Sequence, residues 1–293
     1  MAGIYKSDAG RQAIEAFYRK ALARWPLANE HMVVPTRHGE TFVIACGPAD
    51  APPLLLLHGS GTNSAVWIRD VAVWAQHHHV FAIDIIGEPG LSAQSRPPLR
   101  SAAYTEWLDD IYEGVDVTSA SLVGVSLGAW LALDYAVKRP ERVTSLSLLS
   151  PAGIGRRKQL FMLKAGVLLL LGKFGVDKAL SAASGKTTVS APVAQYMRLI
   201  FENFRPRREA PPIVSNSRIA ALTMPIQVIV GANDAMLHAT GIRDRVARLL
   251  PHAELTFLAG AGHMLPPQTP AVADFLARLK TASARQTRVA AQR

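Results

Sequence analysis

The most informative candidate for a reactive group in this 293-residue chain is a serine with a glycine two residues away on either side. Ser126 lies in the stretch Gly-Val-Ser-Leu-Gly at residues 124–128. An apolar, strand-like run at 119–125 leads into it, and a helix-like run at 127–138 follows. A tight strand-to-helix turn leaves no room for side chains two residues either side of its centre. The pattern predicts a nucleophilic hydroxyl, exposed at the end of a central strand.

A serine hydroxyl is a poor nucleophile at neutral pH, so it needs a base and a group that orients the base. Asp234 follows the strand-like run 226–230, and His263 follows the run 255–258 through a glycine-rich loop. Each residue alone is compatible with an ordinary loop role. Together, on consecutive strand ends after Ser126, they predict a Ser-Asp-His triad.

Acyl transfer also requires hydrogen-bond donors for the oxyanion of the tetrahedral intermediate. The backbone N–H of Leu127 is one candidate, because it follows the nucleophile. A glycine-rich loop after an earlier strand supplies a second, which we assign to the N–H of Ser60, with that of Gly61 as the alternative. Gly59 and Gly61 would let the backbone approach a bound substrate closely. In the same loop, His58 is predicted to be a structural hydrogen-bonding residue.

The rest of the sequence predicts a sheet that can bring these residues to one edge. An amphipathic helix at 7–25 and an antiparallel hairpin within 31–45 come first. Apolar runs then alternate with helical segments, which predicts a mainly parallel sheet with helices on both faces. The predicted strands are 54–57, 80–86, 121–125, 143–149, 226–230 and 255–258, and the predicted helices are 65–76, 102–115, 127–138, 241–250 and 270–280.

The alternation is interrupted once, between residues 151 and 213. We interpret 151–213 as a helical cap inserted into an α/β core made of 1–150 and 214–281. Such an insertion would lie over the carboxyl ends of the strands, where α/β proteins bind ligands. The remaining residues, 282–293, lack large apolar side chains and are predicted to be a solvated, disordered tail.

Within the predicted cap, residues 160–171 are apolar on nearly every face of a helix. Leu168 and Leu169 cannot both face the core of a straight helix, so one is predicted to contact substrate, a partner subunit or lipid. For the segment as a whole, the favoured interpretation is a lid helix buried against the core and a partner cap helix, and the alternative is a helix that lines an acyl pocket.

The formal net charge of +10 is unevenly distributed: −3 for residues 1–150, +8 for 151–213 and +5 for 214–293. No aromatic-interleaved basic stripe accompanies it, so nucleic-acid binding is not predicted. The basic flanks of the apolar cap segment leave contact with an anionic membrane surface as an alternative role. A single cysteine, Cys46, excludes an intramolecular disulfide. With no signal-peptide pattern or long apolar run, we expect a cytoplasmic protein. The serine triad supplies the nucleophile and the base, so neither a metal nor an organic cofactor is expected.

These residues together resemble the α/β-hydrolase superfamily, from about residue 52 to 279. More narrowly, the helix ending Ala-Arg-Trp-Pro at 23–26, the hairpin, the run 51–59 and Asp-Ile-Ile-Gly-Glu-Pro-Gly at 84–90 resemble bacterial serine carboxylesterases. The resemblance implies hydrolysis of small or medium hydrophobic esters through an acyl-enzyme.

Other members of the superfamily define the alternatives. Dehalogenases and epoxide hydrolases use an aspartate nucleophile, against which Ser126 argues. Carbon–carbon bond hydrolases of ring-cleavage products and cofactor-free haloperoxidase-like members keep the serine triad, and the loop at 58–61 resembles the first group. A non-catalytic binding protein on the same fold is a further alternative, which the intact Ser126, Asp234 and His263 disfavour.

Overall fold

A computed structural model describes residues 3–159, 172–185 and 189–290. Its strands are β1 (Asn29–Val34), β2 (Thr41–Cys46), β3 (Pro53–Leu57), β4 (His79–Ile83), β5 (Ala120–Val125), β6 (Val143–Leu149), β7 (Ile226–Gly231) and β8 (Glu254–Leu258). They form one sheet in the order β1-β2-β4-β3-β5-β6-β7-β8. β1 and β4 both pair antiparallel with β2, and every other neighbouring pair is parallel. The predicted hairpin and mainly parallel sheet are confirmed.

Helices cover both faces of this sheet. They are α1 (Asp8–Leu22), α2 (Val71–Trp74), α3 (Ala103–Gly114), α4 (Leu127–Lys138), α5 (Gly172–Ser184), α6 (Ala191–Asn203), α7 (Asn216–Ala220), α8 (Ala239–Leu249) and α9 (Thr269–Ala290). Side chains of α1, α2 and α9 pack in one buried cluster, and those of α3, α4 and α8 in another. The central strands carry apolar side chains on both faces because both are covered.

The prediction of one continuous helix at 65–76 is wrong. The chain instead forms a short 3₁₀ helix at Ser64–Trp67 and the four-residue helix α2. Trp67 and Trp74 are buried, so packing of two bulky aromatic side chains, which favour helix only weakly, sets the local path. Of the three consecutive histidines at 77–79, which the sequence predicts to be a solvated helix end, His77 is exposed, whereas His78 is buried with its Nδ1 3.2 Å from the Trp74 carbonyl oxygen.

The last helix continues to Ala290, beyond residue 281, where the sequence predicted the core to end. This extension enters the segment that we predicted to be a solvated tail. Its alanine, arginine and glutamine residues have high helix propensity, which favours continuation of the helix.

Two helices of the described chain, α5 and α6, lie within the predicted cap, whereas Leu168 and Leu169 lie outside the described residues. The segment is joined to the core near both candidate triad loops. Lys158 Nζ donates to the Asp234 carbonyl oxygen at 2.6 Å. Met264 N–H donates to the Ala183 carbonyl oxygen at 3.2 Å. No helix in the described ranges has the length and hydropathy needed to cross a bilayer.

Candidate active site

The turn at Ser126 is as tight as the sequence predicts. Ser126 has φ 52° and ψ −105°, an uncommon conformation for a residue with a side chain. A Cβ on Gly124 would lie 2.6 Å from backbone atoms of Ala129, and one on Gly128 only 2.0 Å from the Leu57 carbonyl oxygen. Glycine at these two positions therefore lets α4 start directly against the end of β3.

The structure brings His263 to Ser126. The imidazole Nε2 lies 3.0 Å from Ser126 Oγ, a hydrogen-bonding distance across 137 residues of sequence. Ser150 Oγ donates to the His263 carbonyl oxygen at 2.9 Å, which holds the backbone of the histidine loop. The histidine side chain keeps 11% of its surface exposed. This arrangement lets the imidazole accept a proton from the serine and pass it to a group entering from solvent.

Asp234 lies on the far side of the imidazole, with its side chain completely buried. Its Oδ2 is 2.7 Å from His263 Nδ1. Its Oδ1 accepts hydrogen bonds from the N–H groups of Met236 at 2.7 Å and Leu237 at 2.8 Å. The two backbone donors fix the carboxylate, so Oδ2 is left to orient the histidine and to balance an imidazolium charge.

The two predicted oxyanion donors occupy the expected elements. Leu127 is the first residue of α4, where the N–H has no acceptor within the helix and carries the positive end of the helix dipole. In the described part of the chain, the Ser60 N–H has no hydrogen-bond acceptor. The Gly61 N–H, in contrast, donates to Glu88 Oε2 at 2.7 Å. The alternative donor is thus already occupied, which favours Ser60.

Gly59 and Gly61 line the space between the candidate nucleophile and the cap. A Cβ on Gly59 would lie 3.7 Å from the Cβ of Ser126. One on Gly61 would lie 3.7 Å from a methyl group of Ile200 on α6. The loop therefore lies between the candidate nucleophile and α6.

His58 has the structural role predicted for it. It is fully buried, and its Nε2 accepts a hydrogen bond from the Ile85 N–H at 2.9 Å. Its Nδ1 lies 2.8 Å from the Gly59 carbonyl oxygen, so the neutral ring carries its proton on Nδ1. Burial lowers the pKa of His58, which favours this neutral form. The ring joins the start of the glycine-rich loop after β3, residues 58–64, which we call the oxyanion loop, to the segment directly after β4.

Sequence reasoning missed the roles of two buried carboxylates in the segment after β4. Asp84 accepts hydrogen bonds from Tyr18 Oη and from the Ser64 and Leu91 N–H groups, at 2.8 to 2.9 Å. Glu88 accepts from the oxyanion loop. The available signal was a polar, glycine-containing segment directly after a buried strand, at the edge where the other site residues converge.

This site and fold define a family. Residues 54–275 match the model of the alpha/beta hydrolase family, so the chain belongs to that family. Within it, the chain is similar to bacterial carboxylesterases. Carboxylesterase YbfK of Bacillus subtilis (strain 168) is 28% identical over 263 residues, which cover 86% of this chain and 88% of YbfK.

Solved structures extend the same similarity. The crystal structure of carboxylesterase CesB (YbfK) from Bacillus subtilis matches with a TM-score of 0.78 at 26% identity, covering 87% of this chain and 92% of that chain. The crystal structure of naproxen esterase (carboxylesterase NP) from Bacillus subtilis matches with a TM-score of 0.81 at 26% identity, covering 93% and 98% of the two chains. The protein is a carboxylesterase-like hydrolase.

Proposed function

We propose that this protein hydrolyses carboxylic esters through an acyl-enzyme formed on Ser126. The observation that carries the proposal is the continuous line of hydrogen bonds from Ser126 Oγ through His263 to Asp234, at 3.0 and 2.7 Å. Similarity to the Bacillus carboxylesterases supports the choice of esters as the substrate class.

In the acylation step, Ser126 Oγ attacks the ester carbonyl carbon while His263 Nε2 accepts its proton. The carbonyl oxygen gains negative charge and accepts hydrogen bonds from the N–H groups of Leu127 and Ser60. Asp234 stabilises the imidazolium formed in this step. The imidazolium then gives its proton to the departing alkoxide, which leaves as the alcohol.

In the deacylation step, His263 accepts a proton from a water molecule that attacks the acyl carbonyl carbon. The tetrahedral intermediate uses the same two backbone donors. Its collapse breaks the bond to Ser126 Oγ, which recovers the proton from His263. The carboxylic acid is released, and Ser126 and His263 return to their starting protonation states.

We further propose small or medium hydrophobic acyl groups as substrates. Support comes from Ile200 on α6, a buried apolar residue whose methyl group would lie 3.7 Å from a Cβ placed on Gly61, so an apolar side chain flanks the loop that carries the candidate oxyanion donor. The similarity to a naproxen esterase of Bacillus subtilis supports the same class of substrate.

The test compares Ser126→Ala with Ser147→Ala on para-nitrophenyl acetate and longer para-nitrophenyl esters. Ser147 is a buried serine of β6 whose hydroxyl donates to Gln227, so it controls for loss of a buried hydroxyl. We expect Ser126→Ala to lose several orders of magnitude in kcat and to stop reacting with a fluorophosphonate probe. Ser126→Ala activity within about tenfold of the parent would place the nucleophile elsewhere.

A further inference from the structure

The carboxylate of Glu88 lies against the oxyanion loop and has no part in the mechanism above. Its side chain is fully buried. Its Oε2 accepts two hydrogen bonds from consecutive residues of the loop, from the Gly61 N–H at 2.7 Å and from Ser60 Oγ at 3.2 Å. No other side chain within the described ranges accepts hydrogen bonds from both residues.

Two arginines near Glu88 offset part of the cost of its burial. Arg96 and Arg207 act on it electrostatically, and Arg96 Nε donates to the carbonyl oxygen of the adjacent Gly87 at 2.8 Å. Burial raises the pKa of the Glu88 carboxyl, whereas the Gly61 N–H and the two guanidinium groups oppose the shift. A carboxylate is costly to bury without such partners, so its presence beside the loop requires a reason.

Glu88 bears on the orientation of two consecutive peptide groups, those that carry the N–H of Ser60 and the N–H of Gly61. In the proposed mechanism, the Ser60 N–H must face the substrate oxyanion, whereas the Gly61 N–H must not. With Gly59 and Gly61 on either side, the backbone at Ser60 has many accessible conformations. An acceptor that holds the Gly61 N–H and the Ser60 hydroxyl on one side fixes the peptide planes, so the Ser60 N–H points to the other side.

We propose that Glu88 is a positioning residue that directs the Ser60 N–H toward the substrate oxyanion by holding Ser60 and Gly61 from behind. The inference rests on the proposed function, because it deepens the same site. This role depends on the length of the glutamate side chain, which brings Oε2 within hydrogen-bonding distance of the loop. It does not depend on the negative charge near the two arginines.

Two substitutions separate reach from charge. Glu88→Asp keeps the charge but withdraws the acceptor by about 1.5 Å, one carbon–carbon bond. Glu88→Gln loses the charge but keeps an oxygen acceptor at the same reach. We expect Glu88→Asp to lower kcat for para-nitrophenyl acetate by about 10- to 100-fold with little change in KM. Glu88→Gln should keep kcat within about threefold of the parent.

A transition-state mimic provides the second readout. A trifluoromethyl ketone forms a hemiketal oxyanion on the nucleophile, so Glu88→Asp should weaken its binding by the same factor as kcat, and Glu88→Gln should not. Asp109→Asn is the control, because Asp109 is also a buried carboxylate, bonded to Tyr135 and Arg139 away from the loop. Its stability should fall and its kcat should stay at the parental value.

The proposal is overturned if Glu88→Gln loses more than about tenfold in kcat, or if folded Glu88→Asp has parental kcat and inhibitor affinity. If Glu88→Asp does not fold, Glu88→Met, which fills a similar volume without an oxygen acceptor, takes its place, and parental kcat in folded Glu88→Met would overturn the proposal. Failure of the proposed function has a different signature, since it would appear as full activity in Ser126→Ala whatever Glu88 does.

Discussion

Asp234→Asn should inactivate the enzyme by reversing the tautomer of His263, and the structure fixes which way the new amide must turn. If the asparagine oxygen replaces Oδ1, it keeps the hydrogen bonds from the Met236 and Leu237 N–H groups. Its NH₂ group then faces His263 Nδ1, which must accept. The imidazole proton moves to Nε2, and the ring can no longer accept a proton from Ser126.

The opposite orientation of the amide places its NH₂ group against two buried backbone donors. Each unpaired donor costs about 1–3 kcal/mol, so this orientation is strongly disfavoured. We therefore expect kcat to fall by about 10⁴, or about 5 kcal/mol of transition-state stabilisation, with a small change in melting temperature.

The assay is steady-state hydrolysis of para-nitrophenyl acetate by parent and Asp234→Asn, with Asp109→Asn as a carboxylate-to-amide control elsewhere in the fold. Mass spectrometry of the purified variant must show that the amide has not deamidated back to aspartate. A kcat for verified Asp234→Asn within about tenfold of the parent would refute the tautomer argument. It would also mean that another acceptor orients His263.

Three further expectations concern the tight turn at Ser126, the buried His58 and the predicted cap. Gly128→Ala should prevent stable folding, because its Cβ would lie 2.0 Å from a β3 backbone oxygen. At Gly241 the nearest neighbour of an added Cβ lies at 3.8 Å, so Gly241→Ala should raise the free energy of unfolding by up to about 1 kcal/mol. Thermal unfolding of the two variants tests the contrast. The lowered pKa of His58 means that the unfolded chain binds this proton first, so stability should fall as pH drops below about 6.5, by up to about 1.4 kcal/mol per pH unit. Urea unfolding of parent and His58→Gln across this range should show a shallower dependence in the variant, and parallel curves would contradict the assignment. Leu168→Ser or Leu169→Ser should lower activity on long acyl chains more than on acetyl esters, while equal losses with a lower melting temperature would favour a buried lid.

Much of the fold was predictable because strand runs and their punctuation are local properties of the sequence. β3 consists of consecutive leucines after its first residue and β7 is rich in β-branched residues, and each ends at a polar or glycine-rich loop. The triad residues could be proposed for the same reason, since each follows a recognisable strand. Their hydrogen bonds required the three-dimensional register of strands far apart in sequence.

The roles that were missed depend on tertiary contacts. The polar, glycine-containing segment after β4 marks the region of Glu88 but not its partners, because its acceptor role exists only where this segment passes behind the loop after β3. The helix predicted at 65–76 failed for a related reason. Burial of Trp67 and Trp74 against the core outweighs the apolar spacing that suggested one continuous helix.

The bonds from Lys158 and Ala183 to the loops of Asp234 and His263 bear on how this enzyme could acquire new substrates. An insertion joined to the core only by its ends could be exchanged between relatives as an independent module. Here the insertion is bonded directly to the loops that carry Asp234 and His263, through the Lys158 side chain and the Ala183 carbonyl oxygen. Transplanting a foreign insertion would therefore alter turnover together with selectivity, and adaptation is expected to proceed by single substitutions inside a retained frame.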